Sequence, residues 1–243
     1  VSNEDLKKVD SHFAFGKNWA SYSKLIDEPQ IEQARQGLLK LIPAEEFEGR
    51  TFLDIGCGSG LHALAAARLG VGRVAGVDID PDSVNTAKTV LSSQNLDTPW
   101  HFENTSVFNL DPKVLGTFDI VYSWGVLHHT GSMWEAVSKA AAMVAPNGLF
   151  AFALYRTTYM DAFWKLEKRL YSGAPAFAQQ CLKSGYIGAF RLASMVKGQE
   201  DFQTYVANYK SRRGMDFAHD VHDWLGGYPY ETTLAPEVDR RMT

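Results

Sequence analysis

The sequence predicts an α/β chain built on a doubly wound, mostly parallel sheet, with N-terminal helices before the sheet and a helical insertion after its fifth strand. Three observations carry this prediction. Short, nearly all-apolar runs alternate with helical stretches between residues 49 and 155, as expected of parallel strands covered on both faces. A glycine run follows the first strand and opens a helix. Beyond residue 156 only helical patterning continues. The 243 residues, 45% hydrophobic and 21% charged, suffice for a large core and exclude a disordered or collagen-like chain.

Each element has its own signal. Residues 1–48 read as a helical lid, with aromatics Phe13, Phe15, Trp19 and Tyr22, then Ile31, Ala34, Leu38 and Leu41 at helical spacing up to Pro43. Thr51–Ile55 is the first strand and Leu61–Leu69 a helix stopped by Gly70. Arg73–Ile79 is the second strand. Asp80-Pro81 supplies an N-cap and a proline at the first helical position, opening a helix towards Gln94. Trp100–Glu103, Phe118–Ser123 and Leu149–Leu154 are the remaining strands, with a helix over 134–144. These place a core at 49–155, a helical insertion or lid at 156–213, broken at Ser172–Pro175 and Gly185, and a C-terminal loop at 214–243.

Net charge is −4, which disfavours docking on a nucleic-acid backbone. The insertion departs from this balance, with seven basic against three acidic residues from Arg156 to Glu200, read as a solvated helical face. Cys57 and Cys181, the two cysteines, give no disulfide framework. The longest apolar region, Met143 to Tyr155, is cut by Pro146-Asn147-Gly148, so no segment is predicted to span a bilayer. Val1 to Asp10 carries no apolar signal region, and the expected location is the cytoplasm.

The informative segment is Asp54-Ile55-Gly56-Cys57-Gly58-Ser59-Gly60. Glycine is needed where the backbone takes positive φ or approaches a ligand closely. Leu61 stands where the dinucleotide fingerprint needs its third glycine, and no Gly-Lys-Ser/Thr phosphate loop follows. A carboxylate at Asp54 would repel a pyrophosphate but suit an ammonium group. With Asp78 ending the second strand, the pattern describes a nucleoside held by its ribose and carrying a cationic tail.

These residues resemble the class I S-adenosylmethionine-dependent methyltransferases, with their Rossmann-like fold. Asp54-x-Gly56-x-Gly58-x-Gly60 is similar to the first motif of that family and Gly76-Val77-Asp78-Ile79 to the second. Ser123-Trp124-Gly125-Val126-Leu127-His128-His129-Thr130 and Ala145-Pro146-Asn147-Gly148-Leu149 are similar to the segments around strands four and five. The resemblance implies a donor site for S-adenosylmethionine, released as S-adenosylhomocysteine. Gly56, Cys57 and Gly58 would line the methionine moiety and Asp54 would meet its amino group. Asp78 would accept from the ribose hydroxyls, Ile79 would pack on adenine, and Ser106 and Val107 would stand at the adenine edge, Ser106 replacing the family's usual aspartate. Ser123 is assigned to the same site. Within the family the chain is most similar to loosely assigned polyprenyl-benzoquinol methylases. A glutamate of their quinone O-methylases, associated with a divalent metal, is His128 here, and no metal is expected. The family's closing antiparallel hairpin has no room in the 13 residues after Tyr230, which predicts a truncated C-terminus or a reduced sheet.

Methyl transfer from a sulfonium is an in-line displacement, in which a base is needed when the acceptor is protonated. His128 and His129, beyond strand four, are the candidate catalytic residues, and that favours an oxygen acceptor on a small molecule or a quinone-like, lipid- or sugar-linked molecule. Trp19, Tyr22, Tyr155, His219, Asp220 and Asp223 are candidate acceptor contacts. Phe163, Trp164, Leu166, Leu170 and Tyr171 beside Lys165, Lys168 and Arg169 would suit a peripheral membrane contact. The alternatives are a non-catalytic module binding the same nucleoside and a protein or nucleic-acid methyltransferase. The Asn/Asp-Pro-Pro-aromatic tetrad of amino-methylating DNA enzymes is replaced here by Ser123-Trp124-Gly125-Val126.

Overall fold

The computed structural model describes residues 26–196, 200–213 and 216–242; Trp19 and Tyr22, with the rest of the expected N-terminal aromatic stretch, lie outside them. Five strands, β1 (Thr51–Ile55), β2 (Arg73–Asp78), β3 (Trp100–Asn104), β4 (Phe118–Trp124) and β5 (Val144–Ala153), form one sheet in the order β3-β2-β1-β4-β5. Every pairing is parallel. The chain runs outward from β1 to β3 and then returns to the other side of β1. The crevice between β1 and β4, at their C-terminal ends, is therefore the switch point where such sheets bind ligands.

Alternation along β1 divides the core. Phe52 faces one side, packed with Leu64, Leu91 and Phe102 under helices α1 (Glu28–Leu39), α2 (Leu61–Arg68) and α3 (Pro81–Ser92). Leu53 and Ile55 face the other, packed with Val121, Leu127 and Val137 under α4 (Met133–Ala141). Asp27 and Gln30 form a reciprocal capping box on α1, and Asp80 caps α3 ahead of Pro81. At the far end of the sheet Asp119 accepts from the Thr51 backbone N–H and hydroxyl at 2.9 and 2.8 Å, fixing the register of β4 on β1.

Four expectations are corrected. The predicted turn at Pro146-Asn147-Gly148 lies inside β5, which starts at Val144; Asn147 takes φ 61° and the β4–β5 register shifts between Phe118 and Ile120. Because β5 is an edge strand, Pro146 costs no ladder bond on its outer side. Gly185 does not break the insertion: after α5 (Asp161–Ser172) one helix, α6 (Ala176–Val196), runs through it, followed by α7 (Phe202–Arg213). The stretch 214–229, expected as loop, contains helix α8 (Phe217–Gly226), capped by Asp216, whose side chain accepts from the Ala218 and His219 amides. Its buried Phe217, Val221 and Leu225 recur every four residues, a helical period that the interleaved His and Asp residues disguise. Residues after Tyr230 add a single parallel bridge, Arg156 to Thr233, and a short helix α9 (Ala235–Met242).

The insertion's basic face is also not wholly solvated. Lys168 is fully buried, and Trp164 and Tyr171 turn inward with it, whereas Phe163, Leu166 and Leu170 stay exposed. Tyr171, Tyr209, Phe217, Val221 and Leu225 form a third apolar cluster that binds the insertion to α8. Among the described residues no helix is long and apolar enough to cross a membrane.

Candidate functional site

A cavity of ≈ 1370 Å³ opens at the C-terminal ends of β1, β2, β4 and β5. Pockets for one small ligand typically occupy about 300–1,000 Å³, so this volume accommodates two reactants side by side.

One half is built from the loop after β1 and the end of β2. Gly56, Gly58 and Gly60 all take positive φ. A side chain at Gly56 would also meet Val126 at 2.4 Å, so the loop lies directly against the segment after β4. Asp78 ties the loop to β2: its Oδ2 accepts from the Gly58 amide at 3.0 Å and its Oδ1 from the Asp80 amide at 2.9 Å. Burial pushes the Asp78 carboxyl up to about 6, opposed by those amides. Asp54 lies beneath the loop, 2% exposed and outside the cavity lining. Its Oδ2 has no hydrogen-bond partner among the described residues. Burial, then the Asp78 charge, pushes its carboxyl up to about 7, and the Ala63 amide at the start of α2 pulls the other way. A buried carboxylate left short of partners costs stability unless a cation or donor arrives. Cys57, Ile79, Ser106 and Val107 line the same half. Burial raises the Cys57 thiol well above its usual range, which makes it an inert packed group. Ser106 caps the turn after β3 by accepting from the Phe108 amide at 3.4 Å.

The other half is aromatic and histidine-bearing. His128, His129 and Tyr155 line it and pack as one cluster, with centroids 4.3 Å apart for the histidines and 3.8 Å for His128 and Tyr155. Burial, then the His129 ring, holds the His128 pKa well below its usual value; the Ala153 backbone pulls the other way, and Lys168 adds a smaller downward push. His129 Nδ1 lies 2.7 Å from the Pro229 carbonyl oxygen. A carbonyl only accepts, so Nδ1 carries the proton and a neutral ring keeps its lone pair on Nε2. Asp220, Asp223 and Trp224 also line the cavity, Trp224 edge-on against Tyr155 with centroids 5.7 Å apart, and Asp220 accepts from the Tyr209 hydroxyl.

Two further predicted contacts, Ser123 and His219, lie outside the cavity lining as Asp54 does. The Ser123 hydroxyl is fully buried and donates to the Ile55 carbonyl at 3.0 Å, linking β4 to β1. His219 lies outside the cavity lining, its Nδ1 2.8 Å from Asp216. Sequence reasoning missed Tyr186 with Phe190 on α6, and Tyr205 with Tyr209 on α7, all lining the cavity; their i, i+4 spacing was the available signal. It placed Lys168 on the outward basic face, whereas its buried ammonium sits 3.8 Å over the Trp224 ring and donates to the Trp224 carbonyl. Burial pushes that ammonium down to about 8, with Glu167 opposing. Among the described residues no three His, Cys, Asp or Glu side chains converge as metal ligands.

Residues 53–150 match the family model described as a methyltransferase domain. The ubiquinone biosynthesis O-methyltransferase of Caulobacter vibrioides is 35% identical over 121 residues, covering 49% of this chain and 47% of that protein. The ribosomal protein L11 methyltransferase of Thermotoga maritima is 41% identical over 76 residues, 31% of this chain and 27% of that one. Among solved structures, the YcgJ protein of Bacillus subtilis is 24% identical, covers 63% of this chain and 67% of its own, and superposes with a TM-score of 0.49. Residues 53–150 of this chain therefore form a methyltransferase domain of the class I, S-adenosylmethionine-dependent type. It spans about half the length of the ubiquinone-biosynthesis relatives it matches.

Proposed function

We propose that the chain transfers a methyl group from S-adenosylmethionine to an oxygen of a small-molecule acceptor. The observation that carries the donor half is the buried Asp54 carboxylate with an oxygen left unpartnered behind a positive-φ glycine loop. It fits a donor with an ammonium and a sulfonium and opposes one with phosphates. Asp78, Ile79, Ser106 and Val107 would hold the nucleoside end. When bound, the donor supplies an electrophilic methyl carbon on a positively charged sulfur, displaced in line and leaving a neutral thioether.

The oxygen assignment rests on His129. Its lone pair on Nε2 can take the proton of an acceptor hydroxyl, which an amine free of its proton would not require. Tyr155, Tyr186, Phe190 and Trp224 would stack on a planar acceptor and keep water out. Asp220 and Asp223 favour an acceptor that donates hydrogen bonds and disfavour an anionic one. A quinone-like acceptor agrees with these walls and with the names of the ubiquinone-biosynthesis relatives; the ribosomal-protein relative matches over 76 residues, 31% of this chain.

Incubating the chain with methyl-labelled S-adenosylmethionine and a cell extract tests the reading. Label should enter the organic or small-molecule aqueous fraction and disappear with Asp78→Ala. Label confined to protein or nucleic acid would replace the acceptor class, and bound but untransferred donor would indicate a binding module.

We also propose that the outer side of α5 rests on anionic lipid. Phe163, Leu166 and Leu170 are exposed there beside exposed Lys165 and Arg169, the pairing that interfacial helices use. Co-sedimentation with anionic but not neutral vesicles is expected; equal recovery near zero from both would refute it.

A further inference from the structure

The segment from Gly227 to Thr233 bonds to both sides of the histidine cluster. The Pro229 carbonyl meets His129 Nδ1 at 2.7 Å, and the Glu231 amide donates to the His128 carbonyl at 3.0 Å. The Glu231 carboxylate accepts from the Met133 amide at 3.0 Å, at the first residue of α4 just beyond the histidines. Further along, the Thr233 amide donates to the Tyr155 carbonyl and its own carbonyl accepts from the Thr157 amide, both at 2.9 Å. This one strap thus grips the loop after β4, the start of α4 and the exit of β5, none of which reaches it through the sheet. Gly227 sits against the His129 ring: a Cβ there would lie 2.7 Å from Cε1 and 3.3 Å from Nε2.

We propose that this strap is a positioning device for His129, selecting the Nδ1-protonated tautomer and so leaving Nε2 as the basic atom of the ring, with Gly227 and Glu231 as its positioning residues. The inference rests on the reading of His129 as the acceptor's base. Free histidine favours the other tautomer, with the proton on Nε2, which would leave Nδ1 as the basic atom on the wrong side of the ring. The strap supplies one acceptor to reverse that preference and one glycine-sized gap to seat the ring. The Glu231 bonds keep the loop from moving away from the carbonyl.

The test reads the tautomer directly and needs no acceptor. The full chain is labelled with 15N-histidine, and long-range proton–nitrogen spectra are recorded at pH 8.5, above the ordinary imidazole pKa. His129→Gln identifies the signal. The wild type should show His129 protonated on Nδ1, and Gly227→Ala should shift it to a mixture or to Nε2. Glu231→Gln should do so to a smaller degree. Each variant is also titrated with S-adenosylhomocysteine, whose affinity should stay within twofold and so report an intact donor half. A wild-type His129 protonated on Nε2, or a tautomer that Gly227→Ala leaves unchanged while the protein still binds S-adenosylhomocysteine, would overturn the proposal. Should Gly227→Ala fail to fold, the wild-type tautomer and Glu231→Gln still decide it. A wild type that shows the expected tautomer but binds no S-adenosylhomocysteine would sustain the strap and contradict the methyltransferase reading instead.

Discussion

In the donor half, Gly58 and Asp78 bond across 20 residues, Asp78 ending β2 and Gly58 standing in the loop just after its paired neighbour β1. In the acceptor half, His129 and Pro229 bond across 100 residues, and the strap, α6, α7 and α8 reach the cavity from outside the sheet. The first half is fixed by strand register and a loop of glycines; the second depends on long connections and aromatic packing. The donor half should therefore survive changes to the acceptor half, and the two should be separable by single substitutions.

The largest effect is expected from His129→Gln. Loss of a positioned general base should lower turnover by about 10²–10⁴-fold, measured once an accepting fraction is in hand, with donor affinity unchanged. An equal loss of donor binding would erase the distinction between the halves.

Asp54→Asn should act with opposite signs on two quantities. The ammonium loses its counter-charge, and S-adenosylhomocysteine affinity should fall roughly tenfold to a hundredfold, as for a charge-assisted contact worth about 1.5–3 kcal/mol. Without ligand, the same change removes a buried charge, so the melting midpoint at pH 8 should rise by a few degrees. A variant that melts lower and binds normally would place Asp54 in packing alone.

The pH dependence follows the same groups. Asp54 and Asp78 are pushed up to about 7 and about 6 from 3.8, so the native state favours their protonated forms. Their contribution to stability is fully present below about pH 4 and is lost as pH rises through 6–7. Ligand binding favours the ionised forms, so S-adenosylhomocysteine affinity should rise between pH 5.5 and 8 while ligand-free stability declines. Calorimetry and melting curves over that range check both trends.

The smallest effect sharpens the comparison at one backbone angle. Gly56 and Gly125 both take φ 76°, but a Cβ at Gly56 meets Val126 while one at Gly125 meets nothing within 4 Å. Gly56→Ala should cost about 3 kcal/mol from strain plus overpacking and Gly125→Ala about 1 kcal/mol from strain alone. Equal losses in denaturant melts would mean the contact between the two loops is slack.

Legibility in the sequence followed the same division. The short, nearly all-apolar runs such as Thr51–Ile55 and the Asp80-Pro81 start are local signals, and they located the sheet and its helices within a few residues. The glycine loop and Asp78 were legible because each answers a backbone or charge requirement visible in a short window. Lys168 was not, because nothing local tells a buried ammonium from a solvated one; Trp224, 56 residues away, makes the difference. Helix α8 was hidden by a capping aspartate and by polar residues that interrupt its apolar stripe. The strap carried no local pattern at all, since its meaning lies in what its amides and carbonyls meet.

The central claim is that Asp78 belongs to a donor site that operates independently of His129. Titrating S-adenosylhomocysteine into the wild type, Asp78→Ala and His129→Gln by calorimetry tests it most directly. The account predicts binding by the wild type, the same affinity within twofold for His129→Gln, and a loss of about a hundredfold for Asp78→Ala. Failure of the wild type to bind, or equal losses in the two variants, would contradict it.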